Sequence, residues 1–180
     1  MSRKLNYLLI FLIAYSLELN AQDSSIAIGI RTQIRSKILN ENREILISLP
    51  EGYSNNKKPY PVIYLLDAEE HFFHVAGIVE FLSSQKRIPP MILVGIPNTK
   101  RMRDLTPKTE TDSLNKFSIS GGANLFAEFL EKELLSFIEK NYRTCPYRIL
   151  AGHSLGGLFA IHAWCAHTRL FNAYLAVSPS

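Results

Sequence analysis

The sequence predicts an α/β domain with a mostly parallel sheet that opens on an antiparallel hairpin. Near the amino terminus, two segments alternate apolar and polar side chains, as paired strands with one exposed face do. Further along, four short apolar runs typical of strands buried on both faces are separated by segments of helical periodicity. Strand, helix, strand in succession favours parallel neighbours. The composition, 47% hydrophobic and 20% charged over 180 residues, fits one globular domain.

The first residues predict a secretory signal peptide. A basic start at Arg3 and Lys4 leads into an apolar run from Leu5 to Leu17, and Ala21 offers a small residue for cleavage. The run is shorter than the roughly 20 apolar residues that span a bilayer. We therefore expect residues 1–21 to be removed and an exported domain, periplasmic or secreted, at 22–180. An uncleaved membrane anchor is the alternative.

The charge of the chain gives no sign of a nucleic-acid partner. Cleavage at Ala21 would lower the formal net charge of +4 by one, which leaves a mildly basic protein. Nucleic-acid-binding domains carry a much stronger basic patch or stripe. After signal cleavage we also expect no membrane contact, and the oligomeric state stays open.

The predicted elements follow one another regularly. The hairpin comprises 32–39 and 43–49 around a turn at 40–42. The helix at 124–141 carries its apolar side chains on one stripe, so we expect it to pack against the sheet. The remaining elements are a strand at 61–66, a helix at 72–82, strands at 91–96 and 147–151, a helix at 155–167 and a strand at 173–177.

A polar stretch without periodicity, from Pro97 to Gly122, is predicted to be a long loop. It follows the carboxyl end of a predicted parallel strand, and ligands bind at such ends in open α/β sheets. Its basic residues Arg101 and Arg103 are therefore candidate substrate-binding residues for an anionic ligand. A solvated charged loop is the alternative.

The chemistry of the chain centres on Ser154, which lies between Gly152 and Gly156 where a buried strand passes into a helix. A sharp strand-to-helix turn lifts such a serine clear of the sheet and needs minimal side chains on both sides. The helix amino terminus also favours the negative oxygen that forms during acyl transfer. We predict that Ser154 is a nucleophile. A tight turn that merely needs a small residue is the alternative.

Two backbone N–H groups are predicted to bind that oxyanion. Leu155 follows the nucleophile, so its N–H points toward the developing charge. The second donor is expected from the loop after the strand at 61–66, where Glu69 is the first candidate and Ala68 the next. Acyl transfer by a serine needs no metal and no cofactor, and we predict neither.

The five histidines and two cysteines are given structural interpretations. His153 is adjacent to the nucleophile and is predicted to point away from it. The pairs His71/His74 and His162/His167 lack the carboxylate or thiolate neighbours of a metal site. Cys145 and Cys165 match no metal or redox motif, and we expect two unpaired thiols with at least one buried. A disulfide between them is the alternative.

Several segments together resemble the esterase family of α/β-hydrolases that includes enterochelin esterase, esterase D and bacterial feruloyl and acetylxylan esterases. The resemblance covers nearly all of 22–180. The segments that carry it are 62–67, 94–98 with 103–107, 121–123 opening a helix that ends at 140–143, and 152–157.

The resemblance implies a triad of Ser, Asp or Glu, and His in that order, with the acid and the base after later strands than 173–177. The chain is therefore expected to be an amino-terminal fragment that is nearly inactive alone, with 173–177 as an exposed apolar edge. The substrate is an ester whose class stays open: a siderophore, a polysaccharide-linked acyl ester or a thioester. A non-catalytic exported binding protein derived from an esterase is the alternative.

Overall fold

Six strands form one sheet in the computed structural model, which describes residues 27–108 and 120–180. The predicted signal peptide lies outside these residues. The strands are β1 (Ile30–Ser36), β2 (Glu41–Ser48), β3 (Tyr60–Leu66), β4 (Ile92–Ile96), β5 (Thr144–His153) and β6 (Ala173–Val177). Their order across the sheet is β1-β2-β4-β3-β5-β6.

The predicted hairpin and parallel sheet are both confirmed. β1 and β2 pair antiparallel, and β2 also runs antiparallel to β4. β3 lies between β4 and β5 and is parallel to both, and β6 continues the parallel set beyond β5. The carboxyl ends of β3, β4, β5 and β6 therefore lie along one edge of the sheet.

Helices cover both faces of the sheet. The helices are α1 (Ala68–Ser84), α2 (Arg101–Leu105), α3 (Ala123–Phe129), α4 (Leu135–Asn141) and α5 (Leu155–Ala166), and a π-helical turn at Leu130–Leu134 joins α3 to α4. Phe72 and Ala76 of α1 pack on one face, against Leu65 and Leu93. The larger core lies on the other face. None of the described helices is long and apolar enough to cross a membrane.

The predicted loop at 97–122 contains a short helix, α2, that the sequence did not reveal. Five residues span little more than one turn, too short a stretch to show periodicity. Tertiary contacts stabilise it, because Asp104 and Leu105 are both buried. Residues 109–119 of this predicted loop lie outside the described part of the chain.

The expectation of two unpaired thiols is confirmed, but the expectation that one is buried is wrong. Cys145 is half-buried in β5 and Cys165 is exposed on α5. The buried stripe of α5 runs through Gly156, Ala160 and Ala163. Cys165, two residues after Ala163, therefore lies off that stripe.

The strand at the carboxyl end of the chain forms an exposed edge, as expected. β6 is last in the sheet order. Leu175 and Val177 are 53% and 55% exposed. An apolar strand edge of this kind favours association with another strand.

Candidate active site

Ser154 lies at a strained turn between β5 and α5. Its backbone has φ 54° and ψ −120°, a sparsely populated region for a residue with a Cβ. The strained conformation is fixed by a hydrogen bond in which the Ser154 N–H donates to the Val177 carbonyl over 3.0 Å. The turn therefore has the geometry that the sequence predicted for it.

The glycines around Ser154 are required by close backbone contacts. A Cβ on Gly152 would lie 2.3 Å from the Gly156 carbonyl oxygen. A Cβ on Gly157 would lie 2.9 Å from the Val177 carbonyl oxygen. Both distances are shorter than real Cβ contacts, so the turn excludes any side chain at these positions.

The Ser154 hydroxyl lies 3.2 Å from the Ser180 hydroxyl. Within residues 27–108 and 120–180, no histidine or carboxylate side chain hydrogen-bonds to it. The ring of His153 lies 5.9 Å from that of His71, and its direction relative to Ser154 stays a prediction. The described residues therefore contain a candidate nucleophile with no general base hydrogen-bonded to it.

A second strained turn lies beside the first, at the carboxyl end of β3. Asp67 ends this strand with φ 52° and ψ 42°, and α1 begins at the next residue. The register pairs Leu65 with Ala151, so the two strand ends lie side by side. A Cβ on Gly156 would lie 3.0 Å from Asp67 Oδ2. The Asp67 carboxylate therefore packs against the turn that carries Ser154.

The Asp67 carboxylate is buried and held by two side chains from the segment after β4. Asp67 is 2% exposed. Arg101 Nε and Nη2 donate to its two oxygens over 2.7 and 3.0 Å, and Asn98 Nδ2 donates to Oδ1 over 2.6 Å. This arrangement raises the pKa of Arg101, mainly through its hydrogen bond to Asp67. Sequence reasoning missed Asp67 and Asn98; the one available signal was a carboxylate directly after a buried strand.

The predicted oxyanion donors begin the two helices. Neither Asp67 nor Ser154 caps its helix with its side chain. Among the backbone hydrogen bonds of the described residues, none uses the N–H of Ala68, Glu69 or Leu155. Free N–H groups at a helix amino terminus favour an anion. Their role as oxyanion donors stays a prediction.

The two predicted substrate-binding arginines are both engaged in ion pairs. Arg101 pairs with Asp67, as described. Arg103 pairs with Glu41 and Asp104, and both contacts are 2.6 Å long. These hydrogen bonds raise the pKa of Arg103 and lower that of Glu41. A substrate-binding role for either arginine stays a prediction, since each guanidinium already has carboxylate partners.

A buried ion pair anchors α2 to the hairpin. Arg43 of β2 and Asp104 of α2 are each about 1% exposed in their side chains, and they are 2.6 Å apart. The Arg43 guanidinium also lies over the Phe126 ring, 5.3 Å from its centroid. This pair holds α2 against the hairpin. Because α2 begins with Arg101, the pair also helps to hold Arg101 in place beside Asp67.

Four histidines lie in two groups. The rings of His71 and His74 are 5.2 Å apart. His162 and His167 both contact Asn124 Oδ1, and burial lowers the pKa of His162, with a smaller contribution from His167. In the described ranges, no group of three His, Cys, Asp or Glu side chains is arranged to hold a metal ion.

An apolar trough of about 530 Å³ lies between α1 and the sheet. Its walls are mainly aliphatic, with Val75 and Val79 from α1 and Ile63 and Ile149 from the sheet. At one end it reaches His153, beside the Ser154 turn. The trough exposes apolar surface next to the candidate nucleophile.

One protein-family model matches most of the chain. The family model described as "Putative esterase" matches residues 36–180, which include both strained turns. The chain belongs to this esterase family. The family resemblance and the α/β-hydrolase fold predicted from the sequence are thereby confirmed, and solved structures agree with them.

The relatives of this esterase chain include siderophore esterases. It is 36% identical to the ferri-bacillibactin esterase BesA of Bacillus subtilis, over 78% of this chain and 55% of that protein. It is 30% identical to the apo-salmochelin esterase of Escherichia coli, over 67% of this chain and 42% of that protein. The crystal structure of an IroE-like serine hydrolase from Shewanella oneidensis matches with TM-score 0.79 and 44% identity, covering 84% of this chain and 51% of that one. The esterase chain spans about half the length of the curated relatives it matches.

Proposed function

We propose that this esterase is an exported serine carboxylic-ester hydrolase in which Ser154 forms an acyl-enzyme. The observation that carries the proposal is the strained Ser154 backbone, φ 54° and ψ −120°, directly before a helix whose first N–H groups are free. A conformation of this cost persists only where the surrounding structure enforces it, and such sites are concentrated where chemistry occurs. Export is supported by the basic and apolar pattern of residues 1–21.

In the proposed reaction, Ser154 Oγ attacks the ester carbonyl carbon and gives its proton to a general base. The N–H groups of Leu155 and Glu69 bind the resulting oxyanion. The C–O bond to the alcohol then breaks, and the alcohol takes the proton from the base. Water attacks the acyl-enzyme by the same route in reverse and releases the acid and free Ser154.

We assign no general base and no acid partner within residues 27–108 and 120–180. The hydroxyl of Ser154 contacts Ser180, and serine is a poor nucleophile without a base. Loss of a triad member costs several orders of magnitude in rate. We therefore expect the 180-residue chain alone to be nearly inactive, with the acid and the base outside its described residues.

The proposed substrate is an ester within a siderophore. Support comes from the relatives. The two named above are called esterases of ferri-bacillibactin and apo-salmochelin, and two further relatives, 26% and 35% identical, are named siderophore esterases. A feruloyl ester is the competing class, because a ferulic acid esterase matches in structure at 27% identity. The two substrate classes are distinguished by kcat/KM of the complete protein. A higher value for a catecholate siderophore than for methyl ferulate supports the siderophore ester, and the reverse supports the feruloyl ester.

The test of the proposed function uses a fluorophosphonate probe and short-chain nitrophenyl esters. The complete gene product, with any residues that follow Ser180, should be labelled on Ser154 as fluoride leaves the probe, and should hydrolyse the ester. The Ser154→Ala variant should do neither, while Ser136→Ala, a change on α4 away from the site, should do both. A complete product that is folded but neither labelled nor active would refute the proposal and favour the non-catalytic binding protein.

The proposal on export has its own measurement. The mass of the mature protein recovered from the periplasm or medium should correspond to a chain that begins at Gln22. A protein that keeps residues 1–21 and sediments with membranes would instead indicate an uncleaved anchor.

A further inference from the structure

We propose that Arg101 is a positioning residue: by pairing with the buried carboxylate of Asp67, it compensates a negative charge that lies close to the oxyanion formed at Ser154. The inference rests on the proposed function and deepens it. It also assigns Arg101 a role different from the substrate binding predicted from the sequence.

The contacts between Arg101 and Asp67 are those expected of an arginine that stabilises a buried carboxylate. Asp67 has a side chain 3% exposed, while that of Arg101 is 38% exposed. The two parallel contacts from Nε and Nη2 form the bidentate pairing that fixes a carboxylate in one orientation. The buried Asp67 carboxylate therefore depends on this pair for compensation of its charge, whereas the Arg101 guanidinium is partly solvated.

Asp67 lies between the two predicted sets of oxyanion donors. It immediately precedes Ala68 and Glu69, whose N–H groups have no backbone partner among residues 27–108 and 120–180. Its Oδ2 also packs on Gly156, the second residue of α5, 3.0 Å from the position of a Cβ there. A charge on Asp67 is thus close to any oxyanion that these donors bind.

Asp67 does not use its carboxylate as a helix cap, although Asp is a favoured cap residue. Its backbone carbonyl accepts from the N–H groups of Glu70 and His71 instead. Its side chain turns to Arg101 and Asn98. The pair therefore leaves the first two N–H groups of α1 available, which a capping carboxylate would not guarantee.

Two further carboxylates lie near Arg101. The charges of Glu70 and Glu69 add to the effect of Asp67 in raising the pKa of Arg101. Both are exposed, so solvent screens them. Asn98 contacts Glu69 as well as Asp67, with 2.6 Å from Nδ2 to each carboxylate. Removal of Arg101 would therefore leave only an amide beside the buried charge.

The test is a double-mutant cycle on the complete gene product with a neutral nitrophenyl ester. Arg101→Gln should lower kcat roughly 100-fold, as loss of one oxyanion donor does, and leave KM within about twofold. Asp67→Asn should cost less, because the charge that opposes the oxyanion disappears. The double variant, with no unpaired charge, should recover at least about tenfold in kcat over Arg101→Gln.

Three controls make the cycle decisive. Arg31→Gln removes an arginine from an exposed pair with Glu44 and should leave kcat unchanged. Arg101→Lys keeps the charge but loses the bidentate contact, so it should recover part of the loss. Melting temperatures identify unfolded variants. If Arg101→Gln is unfolded, the cycle is repeated with Arg101→Lys, which is then compared with the double variant Arg101→Lys/Asp67→Asn.

The outcomes separate this inference from the proposed function. Additive losses without recovery in the double variant would overturn the positioning role. A rise in KM without a fall in kcat would also overturn it and return Arg101 to substrate binding. Either result leaves the proposed function intact as long as Ser154 is labelled. A folded wild type that is neither labelled nor active refutes the proposed function and this inference together.

Discussion

The turns at Asp67 and Ser154 lie side by side and have much in common, yet they are stabilised in different ways. Each ends a parallel strand, begins a helix and has a positive φ without glycine, 52° and 54°. The close backbone contacts of the Ser154 turn are possible only because Gly152 and Gly157 have no side chains. The Asp67 turn is stabilised by the ion pair with Arg101 and by a hydrogen bond from the neutral amide of Asn98.

This difference shows why one turn was predictable and the other was not. Close backbone packing requires glycine at fixed spacing, and fixed spacing is visible in a sequence. A charge pair needs only two side chains that meet in space, at any separation along the chain. Substitutions of the charged residues and of the glycines should therefore disturb the two kinds of support separately.

The largest effect is expected from Asp104→Ala, which removes the buried partner of Arg43. Arg43 and Asp104 are each about 1% exposed in their side chains. The variant removes the shorter of two ion pairs of the buried Arg43, which keeps Glu41 at 3.1 Å as its other carboxylate partner. Breaking such a pair costs about 3–5 kcal/mol of unfolding free energy. Urea unfolding should show a loss of this size.

The matched control for Asp104→Ala is Glu44→Ala. The pair of Arg31 and Glu44 is solvent-exposed, with side chains 69% and 31% accessible. An exposed pair contributes at most about 1 kcal/mol. Equal losses in the two variants would contradict the view that burial makes the α2 anchor strong.

The next effect is expected from Gly152→Ala, which attacks the Ser154 turn. The added Cβ would lie 2.3 Å from the Gly156 carbonyl, and a backbone atom cannot move aside alone. Overpacking of this kind costs about 3 kcal/mol. Circular dichroism during thermal unfolding should record a large fall in the melting temperature.

Gly77→Ala provides the opposite control on a helix. Gly77 lies inside α1, and nothing is within 4 Å of a Cβ placed on it. Alanine in a helix interior is favoured over glycine by about 1 kcal/mol. The variant should therefore unfold at a higher temperature than the wild type. If Gly77→Ala and Gly152→Ala were equally destabilising, local backbone contacts would not explain the Ser154 turn.

The sequence predicted the helices from apolar periodicity over ten or more residues and the parallel strands from short apolar runs. It missed α2, which is five residues long and depends on the Arg43 and Asp104 pair, 61 positions apart. β5 begins at Thr144 rather than 147, because it pairs with β3 across an irregularity near Pro146. A local pattern could not reveal this pairing, since it depends on the neighbouring strand.

At the site, the glycine spacing revealed Ser154, and the topology placed the start of α1 beside it. The link between Arg101 and Asp67 spans 34 positions and has no periodic signature. The sequence therefore indicated that Arg101 lies near the site but could not give its partner. A cation at the end of a parallel strand fits both substrate binding and an internal ion pair.

A smaller effect is expected from Gly156→Ala, at the point where the two turns touch. The added Cβ would be 3.0 Å from Asp67 Oδ2 and 3.4 Å from Leu66 Cβ, so the neighbours need move only a few tenths of an ångström. We expect a loss of about 1 kcal/mol in unfolding free energy. A loss as large as that of Gly152→Ala would show that the Asp67 carboxylate cannot yield.

The smallest effect is a pH dependence that distinguishes the charge-based support from the glycine-based one. Hydrogen bonds from Arg103 and Arg43 lower the pKa of Glu41 below its ordinary value of 4.5. A carboxyl group with a lowered folded-state pKa adds stability that is fully present above its unfolded pKa and is lost as the pH falls through the folded value. Urea unfolding between pH 6 and about pH 3 should show this loss.

Glu41→Gln removes that contribution, so the stability difference between wild type and this variant should shrink as the pH drops below 4.5. The difference between wild type and Gly152→Ala should stay constant over the same window, because the atoms nearest its added Cβ are backbone atoms of Gly156, which do not titrate. A constant difference for Glu41→Gln would show that the ion pairs around α2 do not depend on the Glu41 charge. The α2 helix would then depend mainly on the buried pair of Arg43 and Asp104.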